Sequence, residues 1–141
     1  MAASSLNIIW GVLDFIIGGV FIYAGVVKAL DPISFAGDID NYHMLPWMLS
    51  VRLSFYLPWL EVFCGLALVL RHFYAGAVAI LMALIVIFIG ANVVAKMRGL
   101  DVKCGCFGHI SDNLGFASHM ALNLAILAGL ALLMRRTRVA R

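Results

Sequence analysis

Four apolar runs, each long enough to cross a bilayer and joined by short polar connections, leave this chain few ways to fold. They lie at about residues 6–30, 53–70, 74–95 and 114–134. Spanning the hydrocarbon core takes about 20 apolar residues in a helix. Within lipid every backbone N–H and C=O must be bonded inside the structure, so runs of this length are helices. Of the 141 residues 65% are hydrophobic and 12% charged, and a water-soluble globule of that composition would expose large apolar patches. The expectation is all-α: an integral membrane four-helix bundle, residues 1–141 making one transmembrane domain in a lipid bilayer.

The first run has no Lys or Arg ahead of it and is too long for the apolar core of a cleaved signal peptide, so it is expected to stay as a helix. Gly18, Gly19 and Gly25, with Ala24, put small residues on its surface where a neighbouring helix can come close. Asp31-Pro32 ends it and caps a new helix, since proline suits a first helical turn. Residues 31–50 then mix Ile33, Phe35, Ala36 and Ile39 with Ser34, Asp38 and Asp40, and continue into Tyr42, His43, Pro46 and Trp47. That pattern predicts a short amphipathic interfacial helix between the first and second spans, lying over the bundle as a cover.

Polar groups inside the runs are few and therefore informative. Glu61 sits near the middle of the second run, where a charge costs at least about 3 kcal/mol unless it faces inward or is paired. Lys28 is an available partner. A role for Glu61 in proton handling or ligand binding stands beside a purely structural ion pair. Cys64, one turn on, fits a small apolar core residue better than a third redox thiol. Asn92 lies near the end of the third run. His119 and Asn123, four residues apart on the fourth, share a helix face and suit interhelical hydrogen bonds, with a quinone or proton contact as the sharper alternative.

The reactive groups gather in Lys103-Cys104-Gly105-Cys106-Phe107-Gly108-His109. Two thiols one residue apart can close only a small strained ring, and strain makes a disulfide easier to reduce. Neighbouring cations favour the thiolate, the form that attacks disulfides. Structural cysteines in a tight turn are the plain alternative. Metal ligation is weaker, because one C-x-C supplies two ligands where a closed zinc site needs four, and no metal is expected.

Four spans put both termini on one side, with Arg71, Arg135, Arg136, Arg138 and Arg141; Lys28, Arg52, Lys96, Arg98 and Lys103 fall on the other. The count is even. The tight cluster in the tail, beside a helix end, favours cytoplasmic termini in a bacterial inner membrane and turns the cysteine stretch outward, to the oxidising side. The net charge of +3 sits in that tail, so it points to lipid headgroups and not to nucleic acid.

The segment Tyr23-Ala24-Gly25-Val26-Val27-Lys28-Ala29-Leu30-Asp31-Pro32, with Phe35-Ala36, Tyr42 and Leu45-Pro46, resembles the DoxX-like superfamily. Cys104-Gly105-Cys106-Phe107-Gly108 before the last span is similar to its MauE branch. The resemblance covers almost the whole chain and implies a four-helix membrane bundle. It also implies a redox role: assisting disulfide formation in a periplasmic dehydrogenase subunit of methylamine utilisation beside a thioredoxin-like partner, while DoxX and DoxD relatives are linked to the quinone pool. Carried over by position, Cys104 and Cys106 are the redox pair. The resulting expectation is a thiol–disulfide redox protein passing electrons from a periplasmic thiol to a membrane acceptor such as quinone. Lys28, Glu61, Asn92, His109 and His119 are its candidate proton or quinone site. The alternative is a non-catalytic subunit that stabilises a larger membrane complex.

Overall fold

A computed structural model describes residues 2–100 and 115–139. Its helices are α1 (Ala2–Leu30), α2 (Pro32–Asp40), α3 (Trp47–Leu70), α4 (Tyr74–Met97) and α5 (Phe116–Val139). Among the described residues there is no strand, and α1, α3, α4 and α5 are long and apolar enough to cross a membrane. The chain is a multi-pass membrane protein, and its burial pattern has the sense that lipid requires. Phe15, Phe63, Trp59 and Ile87 face outward, whereas Asp14, Lys28, Glu61, Asn92, His119 and Asn123 are buried.

The spans succeed one another around the bundle as α1, α3, α4, α5, with α5 returning to α1. The tightest seam is α1 against α3, and glycine makes it. A Cβ on Gly65 would lie 2.8 Å from the Gly18 carbonyl oxygen, one on Gly18 would lie 2.8 Å from the Gly65 oxygen, and one on Gly25 would lie 2.6 Å from the Pro58 oxygen. Backbone meets backbone here, so dispersion contacts replace the hydrophobic drive that lipid does not supply. Gly19 faces open space. Gly65→Val is therefore expected to cost about 1–3 kcal/mol by overpacking, while Gly19→Ala is neutral or slightly stabilising. Detergent-titrated unfolding followed by circular dichroism reads both.

Asp31 ends α1 and starts α2 as its sequence suggests: its Oδ1 accepts from the Ser34 N–H at 3.0 Å, and Pro32 occupies the first turn. Phe35 and Ala36 bury against the bundle, while Ile33 points out. The second span begins earlier than the expected residue 53. Pro46 is extended, with ψ 148, and caps a helix that starts at Trp47, because nothing between Trp47 and Arg52 breaks the helical run. The helix that carries the last expected span runs on through Arg135, Arg136 and Arg138 to Val139. A tight turn joins α3 to α4, with Arg71 and Phe73 both left-handed (φ 57 and 49) and the His72 N–H bonded to the Ala67 carbonyl.

The antiparallel course gives the bundle two distinct ends. At the loop end α1 finishes, α2 crosses, α3 begins, α4 finishes and α5 begins. At the turn end lie the α3–α4 turn and the basic end of α5.

Candidate functional site

At the loop end, Lys28 of α1 reaches Glu61 of α3, its Nζ donating to Oε1 at 2.9 Å and to Oε2 at 3.0 Å. Lys28 is 3% exposed and Glu61 fully buried, so each neutralises a charge the bilayer interior would otherwise reject. The glycine seam sets this meeting, since it fixes how α1 and α3 are rotated against each other. The Lys28 ammonium also lies 5.1 Å from the Phe35 ring centroid of α2 and 5.0 Å from that of Phe88 in α4. Each such contact is worth about 0.5–2 kcal/mol. One cation thus ties α1, α2, α3 and α4 together.

The cover is fastened by a second polar link. The Tyr42 hydroxyl donates to Asn92 Oδ1 at 3.1 Å, and Asn92 Nδ2 donates to the Phe88 carbonyl at 2.9 Å. The chain after α2 is thereby tied to the same turn of α4 that supplies the Phe88 ring.

From α5 comes Asn123, 1% exposed, with neither amide atom bonded among the described residues. With Lys28 and Glu61 it lines a cavity of about 10 Å³, the space a single water needs. Apart from these three polar residues its lining is apolar, with Phe21, Ile85, Phe88 and Ile126 among it. His119, also buried, sits one turn nearer the loop end on the same face of α5.

The structure thus brings Lys28 and Glu61 into contact and buries Asn92 and His119 at the same end of the bundle. Cys104, Cys106 and His109 lie outside the described residues. Leu100 and Gly115, the described residues on either side of them in the chain, both stand at this end. Cys64 is a buried core residue packed among Ile17, Phe21 and Leu68.

Sequence reasoning gives no weight to a second buried cluster, which stands at the turn end. Asp14 of α1 is 2% exposed; its Oδ1 accepts a short hydrogen bond from the Tyr74 hydroxyl, and its Oδ2 lies 3.1 Å from Arg71 Nη2. A lone acid within the first apolar run is the available signal. Its partners are hidden because both stand at helix ends, where Arg and Tyr are common for their own reasons.

Residues 6–136 match the family described as Methylamine utilisation protein MauE. Among curated proteins, the Methylamine utilization protein MauE of Methylophilus methylotrophus is 30% identical over 110 residues, which is 77% of this chain and 58% of the relative. The aligned part therefore spans less than two thirds of that relative's length. No solved structure matched the chain. With a match across nearly all of a four-span bundle, this protein belongs to the MauE family.

Proposed function

We propose that this chain is a membrane thiol–disulfide redox protein that supports disulfide formation in exported proteins, in the methylamine-utilisation setting its relative's name describes. The observation that carries the proposal is positional. Leu100 and Gly115, the described residues that bracket Cys104 and Cys106 in the chain, stand at the end where α2 covers the buried Lys28–Glu61 pair. A reactive pair and a shielded acid–base pair at one end make a coherent redox site.

In this reading a thiolate of an exported protein or of a thioredoxin-like carrier attacks the Cys104–Cys106 disulfide and forms a mixed disulfide. The second thiol of the partner resolves it. The partner leaves oxidised by two electrons and two protons, and Cys104 and Cys106 are left as thiols. Reoxidation passes two electrons and two protons to a lipid-soluble acceptor of the quinone class, which docks elsewhere than in the water-sized cavity. Glu61, His109 and His119 are the groups that move protons, with Lys28 holding Glu61 in place and Asn123 bordering the route. The loop end faces the oxidising compartment and both termini the cytoplasm, supported by Arg71, Arg135, Arg136 and Arg138 at the turn end.

Cys104→Ser and Cys106→Ser, made singly, each leave one sulfur that can attack but cannot close the ring. In one of the two the remaining thiolate is expected to attack the disulfide of an oxidised partner, releasing one partner thiol and leaving a reductant-sensitive mixed disulfide, seen as a shifted band and identified by mass spectrometry. If neither variant captures a partner under conditions where the wild type works, the accessory-subunit reading replaces this one.

A further inference from the structure

The turn end holds the larger cavity, a cleft of about 210 Å³ lined by Asp14, Arg71, Tyr74, Arg136 and Thr137. A water's share of liquid volume is about 30 Å³, so the cleft has room for a group of several heavy atoms. Its charge is uneven. The one acid, Asp14, has its charge matched: Tyr74 bonds one oxygen, and the Arg71 guanidinium lies 3.1 Å from the other, which accepts no hydrogen bond among the described residues. Arg136 packs over the Trp10 ring, 5.5 Å from its centroid, and has no carboxylate partner among the described residues. The Thr137 hydroxyl donates to the Met134 carbonyl at 2.7 Å and so adds no free proton to the cleft. An incoming group therefore meets one unbalanced guanidinium and the remaining N–H groups of a second, Arg71, whose side chain is 48% exposed.

We propose that this cleft binds the phosphate of an anionic phospholipid from the leaflet at the turn end. A planar guanidinium matches phosphate oxygens with paired hydrogen bonds, which an ammonium does not. The cleft also stands where a headgroup would lie. Arg135 and Arg138 flank it on α5, and no acid other than Asp14 is at this end among the described residues. Exposed Val12 and Ile16, past Trp10 toward the middle of α1, continue the apolar surface along which acyl chains can run. The proposal is independent of the cysteines and of the redox reading.

Native mass spectrometry of the protein released from mixed phosphatidylglycerol and phosphatidylcholine nanodiscs tests it. The wild type is expected to retain phosphatidylglycerol preferentially. Arg136→Gln should lower that retention about tenfold, as losing a hydrogen bond to a charged group does. Arg136→Lys keeps the charge and should lose only about two- to threefold, and Arg138→Gln, flanking the cleft on α5, should change little. A melting curve matching the wild type shows that Arg136→Gln is folded. Equal loss in Arg136→Gln and Arg138→Gln, or no loss in either, overturns the site. Displacement of the lipid by millimolar inorganic phosphate overturns the lipid as ligand and makes this a site for free anions.

Discussion

Glu61→Ala alone is expected to destabilise the bundle by about 3–5 kcal/mol, because it strands the Lys28 ammonium in a dry interior. Among the described residues the ammonium has no second carboxylate to turn to: the Phe35 and Phe88 rings are its other close neighbours there. Replacing both partners by apolar residues of similar volume removes the charge along with its need. Lys28→Met with Glu61→Leu should therefore recover most of the loss, since well-packed apolar pairs often equal a buried ion pair in stability. Detergent-titrated unfolding of the wild type, the Lys28→Met and Glu61→Leu single variants and the double variant forms the cycle that isolates the coupling. A double variant as unstable as Glu61→Ala would mean that the pair matters through shape and not charge. In the proposed function the folded double variant should still lose thiol turnover, because position 61 has no proton left to move.

Cys104→Ser combined with Cys106→Ser is expected to reduce thiol oxidation to background and leave helix content and melting unchanged. The glycine seam, the Lys28–Glu61 pair and the Tyr42–Asn92 link hold the described bundle, and none of them uses a cysteine. Oxidation of a reporter dithiol by reconstituted protein, alongside a melting curve, separates the two effects. Activity retained at wild-type level in the double variant would move the protein into the accessory class.

The spans are legible in the sequence because a helix in lipid must be continuously apolar, and Asp31-Pro32 is legible because capping is local chemistry. Rotation of the helices is not. In a soluble bundle the polar face of each helix marks the outside, but lipid is as apolar as a core, so the usual stripe is missing. Only small and polar residues mark the interior, and they mark it incompletely: Gly18 lies in the seam, whereas Gly19, its neighbour, faces open space. Glu61 points to Lys28 because a mid-span acid needs a cation. Asn123 reads with His119 as interhelical glue, yet it borders the cavity beside the pair, a placement set by how α5 leans on α1. There Gly129 admits Ile17, whose Cδ1 would lie 2.8 Å from an added Cβ. The Asp14 cluster escapes the sequence for the same reason, since its three members come from α1, α4 and the α3–α4 turn.

Thiol labelling of the purified protein tests whether Cys104 and Cys106 exchange electrons with a membrane acceptor, as proposed. Labelling is read by mass spectrometry before and after reduction, and again with an oxidised and a reduced quinone analogue. The expected result is a reversible Cys104–Cys106 disulfide, formed with the oxidised analogue and opened with the reduced one. A pair whose state is the same under both analogues would contradict it.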